Sequence, residues 1–163
     1  MKRNVLFICS ANMCRSPMAE GYLKKRALEK DLHELDVRSA AVFFNEDYQA
    51  TSGARETARK NGFSLDHHRS QFMDNQLFEW ADDILVMTKE HRNSIISYYQ
   101  EPALEKVSLL GEYDPRYVTG DIHASPEIDD PYGGSNVTYE TVFDTIKRSI
   151  DAWLDQLLEN QNH

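Results

Sequence analysis

Cysteine is scarce in this chain. Two thiols in 163 residues, Cys9 and Cys14, provide no disulfide framework. A chain of this size must then be held together by its core, and free thiols suit a reducing compartment, so a cytoplasmic protein is expected. Glycine is sparse too, at seven residues, and the G-x-x-x-x-G-K-[ST] loop that cradles nucleotides is missing. No apolar run approaches the roughly 20 residues of a membrane-spanning helix, so no membrane association is expected. The basic start, Met1 to Asn4, is followed by about four apolar residues, short of the roughly seven of a secretory signal. Positive charge is in deficit: the net charge of −9 argues against nucleic acid as a partner, because backbone affinity comes from clustered lysine and arginine. The basic run Lys24-Lys25-Arg26 reads as a solvated helix face. Apart from the adjacent pair His67-His68, no Cys/His cluster has metal-ligand spacing, so neither a metal nor another cofactor is expected. Without repeats or linkers, residues 1–163 fit one domain, long enough to bury about two-thirds of its unfolded surface.

What the chain does have is an alternation of strand and helix signals. Val5 to Ile8 is a short unbroken apolar run, the pattern of a strand buried on both faces of a parallel sheet. A helix follows from about Pro17 to Lys30, with Met18, Ala19, Tyr22, Leu23 and Ala27 on one face. Val37 to Val42 reads as a second strand. A helix from Ser52 to Asn61 ends before Gly62, which sits where a left-handed cap belongs. Ile84 to Met87 and Val107 to Leu110 read as the third and fourth strands, with a helix from Lys89 to Tyr98 between them that starts at Thr88. The last helix, about Thr138 to Leu158, carries Val142, Ile146, Ile150, Trp153, Leu154 and Leu157 as one core stripe. Repeated β-α units imply an α/β fold: a four-stranded parallel sheet with helices on both faces. In such sheets ligands bind beyond the carboxyl ends of the strands.

The loop after the first strand lies there. It runs Cys9-Ser10-Ala11-Asn12-Met13-Cys14-Arg15-Ser16-Pro17, with Ser16 and Pro17 as a helix-start signal, serine capping and proline first in the helix. Amides of the loop and the helix N-terminus would converge on an anion, and the same field favours a thiolate at Cys9. Arg15 supplies a fork of donors suited to a tetrahedral oxyanion. Asp130, far downstream in Asp130-Pro131-Tyr132-Gly133-Gly134, could supply a proton, although that composition also suits a plain turn. A cysteine five residues before an arginine is a weak pattern alone, and a cysteine closing an apolar strand is often only a small buried hydrophobe. The combination of strand, loop, helix start and distant acid is specific: nucleophile, charge stabiliser and proton donor are what phosphoryl transfer through a covalent intermediate requires. Asp129 is a neighbouring like charge that would help keep Asp130 protonated. Asn12 tolerates left-handed backbone and can tie the loop together. Phe44, Met13 and Tyr132 are candidate walls for the leaving group, and one of the pair Phe43-Phe44 is expected in the core.

Cys9 to Pro17, as C-S-A-N-M-C-R-S-P, resembles the signature C-x-x-N-x-C-R-S-P of the low-molecular-weight protein tyrosine phosphatases. The likeness continues through Pro17-Met18-Ala19-Glu20, Arg38-Ser39-Ala40-Ala41, Asp82 to Met87, Leu109 to Pro115 and Asp130-Pro131-Tyr132, and covers nearly the whole chain. Ala11 and Ala41 depart from it where the family usually has glycine. The resemblance implies a phosphate-binding loop formed by Ser10, Ala11, Asn12, Met13, Cys14 and Ser16. In that loop Cys9 is the nucleophile, Arg15 the transition-state stabiliser and Asp130 the general acid and base. It further implies that Ser16 donates to Cys9, that His68 supports the loop asparagine, and that Cys14 can trap an oxidised Cys9 as a reversible disulfide. The implied partners are phosphotyrosine proteins. Gly133-Gly134-Ser135 instead resembles the subgroup that includes protein arginine phosphatases, whereas Met13 replaces the threonine of those members and better suits an aromatic leaving group. A noncatalytic phosphate-binding module is the alternative from another class.

Overall fold

The computed structural model describes residues 2–162, so the first residue of the basic start and both ends of the expected 1–163 domain lie outside the described residues. The elements run β1 (Arg3–Cys9), α1 (Arg15–Glu29), β2 (Leu35–Ala41), α2 (Ser52–Lys60), α3 (Asn75–Trp80), β3 (Asp83–Val86), α4 (Lys89–Tyr99), α5 (Glu101–Lys106) and β4 (Val107–Leu109). A 3₁₀ turn (Leu110–Tyr113), α6 (Pro115–Val118) and the long α7 (Asn136–Gln161) complete the chain. The four strands form one sheet in the order β2-β1-β3-β4, every pair parallel. Cys9 pairs with Ala41 and Ile8 with Val86, so β1 is central and the strand order reverses around it. A crevice opens at the carboxyl end of such a strand, and Cys9 is its last residue.

The apolar run of β1 is continuous because both faces are covered. Val5, Phe7 and Cys9 join the core built with Met18, Leu23, Ile146, Ile150 and Leu154 of α1 and α7. Leu6 and Ile8 face the opposite core with Leu77 and Phe78 of α3, Ile95 of α4 and Ala103 of α5. The expected stripes of α1, α2 and α7 are buried, with Leu157 partly so, and Gly62 has φ +86° just past the end of α2. Thr88 caps α4 as expected. No helix among the described residues is long and apolar enough to cross a membrane.

Two local expectations are corrected. Ser16 does not cap α1. The helix begins at Arg15 with Cys14 at the cap position and no side-chain cap bond, because the Ser16 hydroxyl is taken by tertiary partners. Neither Phe43 nor Phe44 is in the core: they are 38% and 54% exposed, because β2 ends at Ala41 and the chain turns outward.

Candidate active site

Between β1 and α1 the backbone turns through Asn12, whose φ of +59° is the conformation asparagine accepts more easily than most residues. Ala11 stays out of the left-handed region, so its methyl group carries no backbone strain. Asn12 is fully buried and makes the loop rigid. Its Oδ1 accepts from the Gln71 amide at 3.0 Å, which fixes the orientation of the side-chain amide. Its Nδ2 then donates to Ser39 Oγ at 2.9 Å and to Ser16 Oγ at 2.7 Å. Ser39 in turn donates to the Glu20 carboxylate. With the Asn12 hydrogens used on both hydroxyls, the Ser16 proton is free for Cys9 Sγ, 2.9 Å away. Cys9 Sγ is thus the acceptor at the end of a relay from α1 and β2. From the other side His68 Nε2 donates to the Asn12 carbonyl at 2.8 Å.

The start of α1 has no acidic residue in its first turn and no capping side chain, so its free amides lie open to an anion beside Cys9. Arg15 is 4% exposed. Its Nη1 donates to the Ile128 carbonyl at 2.9 Å, and its Nη2 lies 3.5 Å from Ser10 Oγ and 3.7 Å from Asp130 Oδ2. Its Nε is buried with no partner among the described residues. A buried guanidinium N–H left unpaired is costly, and the cost is recovered when an oxyanion fills the place. The Asp130 carboxylate, about half exposed, accepts the Tyr132 amide through Oδ1 at 3.1 Å, which holds the turn. Cys9, Arg15 and Asp130 all line one cavity of about 280 Å³, walled by Met13, Phe44, Tyr48 and Tyr132.

Other expected residues fall elsewhere or behave differently. Asp129 faces a separate cavity, among Asp114, Glu127 and Arg148, away from the one that holds Cys9. Phe43 packs its ring on His91 at 5.4 Å. Cys14 lines the Cys9 cavity as a free thiol, 3.3 Å from Thr51 Oγ1 and 3.5 Å from the Tyr139 hydroxyl. Burial pushes the Cys14 thiol up and, with Cys14 beside it, the Tyr139 phenol up to about 12. No three His, Cys, Asp or Glu side chains gather as a metal-binding group among the described residues. Three contributors escaped sequence reasoning: Tyr48 in the wall, the Ile128 carbonyl behind Arg15, and His91, which is 1% exposed and bonded to Ser10. Only His91 left a signal, three residues after the capping Thr88, where glutamate or glutamine is usual.

A cavity that presents a hydrogen-bonded sulfur, an arginine with a donor to spare and an opposing carboxylate belongs to the cysteine-dependent phosphatases. The model of the low molecular weight phosphotyrosine protein phosphatase family matches residues 4–163, and the chain belongs to that family. The protein-arginine-phosphatase of Bacillus subtilis (strain 168) is 34% identical over 158 residues, spanning 97% of this chain and 99% of the relative. The low molecular weight protein-tyrosine-phosphatase Etp of Escherichia coli (strain K12) is 29% identical over 154 residues, 94% of each chain. Among solved structures, a cysteine-to-serine mutant of the YwlE arginine phosphatase, with a phosphorylated active site serine, superposes with a TM-score of 0.83 at 30% identity, covering 98% of each chain.

Proposed function

We propose that this chain is a protein tyrosine phosphatase that works through a phosphocysteine intermediate. The observation that carries the reading is the convergence of Cys9, Arg15 and Asp130 on one cavity at the open N-terminus of α1. Cys9 Sγ attacks phosphorus while the tyrosine oxygen leaves on the opposite side with a proton from Asp130. The second step reverses the roles: Asp130 takes a proton from water, which attacks phosphorus and releases the sulfur. Arg15 and the loop amides hold the equatorial oxygens through both transition states. Within this reading Cys14 is the thiol placed to close a reversible disulfide with an oxidised Cys9, and burial, by pushing that thiol up, slows the closure. The substrates are phosphoproteins, and a reducing compartment such as the cytoplasm keeps Cys9 active.

The wall supports an aromatic leaving group. Phe44, Tyr48, Tyr132 and the apolar Met13 line the cavity that holds the sulfur, surfaces suited to a flat ring. A second reading, phosphoarginine, draws support from the arginine phosphatases among the relatives and from Gly133-Gly134-Ser135. Phosphate release from a phosphotyrosine peptide and a phosphoarginine protein, measured side by side, separates the two. Faster turnover of phosphotyrosine, lost in Cys9→Ser, is expected. Preference for phosphoarginine would change the substrate and keep the mechanism, and no turnover of either would leave a binding module.

A further inference from the structure

His91 sits at the third position of α4 and spans from its own helix cap to the phosphate loop. Its Nδ1 accepts the Thr88 amide at 3.2 Å, so Nδ1 carries no hydrogen. The ring is 1% exposed, lies under Phe43 and faces Arg15, and burial together with that cation holds it neutral at physiological pH. The one ring hydrogen is therefore on Nε2, which donates to Ser10 Oγ at 2.9 Å. Arg15 Nη2 approaches the same oxygen at 3.5 Å. Both acceptor sites of the Ser10 hydroxyl are then engaged, and its own hydrogen has no acceptor among the described residues. Ser10 lines the cavity with Cys9 and Arg15, where an acceptor for that hydrogen can bind.

We infer that the Ser10 hydroxyl donates to the phosphoryl group held over Cys9, and that His91 is the positioning residue that fixes the direction of that hydrogen. The inference rests on the phosphatase reading of the cavity. A serine hydroxyl rotates freely and loses entropy when it must find one partner; two donors pressed on its oxygen remove that freedom before substrate arrives. Charge on the equatorial oxygens then meets a side-chain donor in addition to the loop amides.

Ser10→Ala is expected to lower kcat/KM on an aryl phosphate by about ten- to a hundredfold and to raise the inhibition constant of inorganic phosphate. Ser10→Thr, which keeps the hydroxyl, is expected to restore most of the loss. His91→Gln can accept the Thr88 amide through its carbonyl and donate to Ser10 through its amide, so it is expected to keep most of the activity, whereas His91→Leu has no donor for Ser10. His91→Leu should match Ser10→Ala in kinetics, with no further loss when the two are combined. The ¹⁵N shifts of His91 in the wild type should show a bare Nδ1 and a protonated Nε2. An unchanged Ser10→Ala enzyme, additive losses in the double variant, or the opposite ring tautomer would overturn the inference and leave the phosphatase intact. A wild type that neither hydrolyses phosphate esters nor binds inorganic phosphate would overturn both.

Discussion

Asp130 has a carboxylate about half exposed and 3.7 Å from Arg15 Nη2, close enough to serve the cavity and open enough to exchange protons with water. A group so placed can either move a proton or merely hold its turn through the bond from the Tyr132 amide. The leaving group tells these apart. Asparagine can still accept the Tyr132 amide, so Asp130→Asn keeps the turn and removes only the proton. On phosphotyrosine its kcat should fall by about 10²- to 10⁴-fold, the usual worth of a general acid. On a dinitrophenyl phosphate, whose phenolate leaves without a proton, the loss should be far smaller. Steady-state kinetics on both esters give the answer, and equal losses would assign Asp130 to loop structure alone. Ser16 shows the limit of residue-level reading. Its sequence context, before a proline, is that of a cap, yet Asn12 and Cys9 claim the hydroxyl from sites that only the folded loop brings near. Local pattern carries no information about such partners.

At the scale of elements, the 3₁₀ turn at Leu110–Tyr113 is the rest against which the segment bearing the acid lies. A Cβ on Gly111 would sit 2.2 Å from the Pro126 carbonyl oxygen, so glycine here serves close approach of two backbones. Two residues on, Ile128 takes its amide to the Met87 carbonyl and gives its own carbonyl to Arg15. Gly111→Ala should therefore push the segment off its seat, destabilising the fold by about 1–3 kcal/mol and weakening the hold on Arg15. Thermal melting and kcat/KM should fall together; a variant less stable yet fully active would show that Arg15 is held without this contact. The strands and the four longer helices, α1, α2, α4 and α7, were legible because each buries a face of period 2 or 3.6, or an unbroken run, over enough residues to count. The short helices α3, α5 and α6 offered only four to six residues each, too few for a period. One of the pair Phe43-Phe44 reads as core by composition, but the end of β2 at Ala41 decides where both point.

For the molecule as a whole, the burial of a neutral histidine at the junction of α4 with the phosphate loop makes stability depend on acid. Burial, then the charge of Arg15, lowers His91 from its ordinary 6.5 to about 4 in the folded protein. Between those two values the unfolded chain binds a proton at His91 that the native chain does not. Stability from this residue is therefore complete above about pH 6.5, declines as pH falls through the interval, and is fully lost near pH 4. Integrating that difference, the loss between pH 7 and pH 5 is about 2 kcal/mol. The groups that face the ring are Arg15 from α1, the Ser10 hydroxyl, the Thr88 amide and the Phe43 ring, and of these only Arg15 is charged. Arg69 holds the Asp47 carboxyl below its ordinary range, and acid weakens the fold there in the same direction. The comparison that isolates His91 is urea unfolding of wild type and His91→Gln at both pH values. The wild type should lose about 2 kcal/mol more than the variant on going to pH 5. Equal losses would mean that His91 is protonated in the folded state at pH 5. The added hydrogen would then sit on Nδ1 against the Thr88 amide, and the bond from that amide on which the Ser10 assignment depends would be broken.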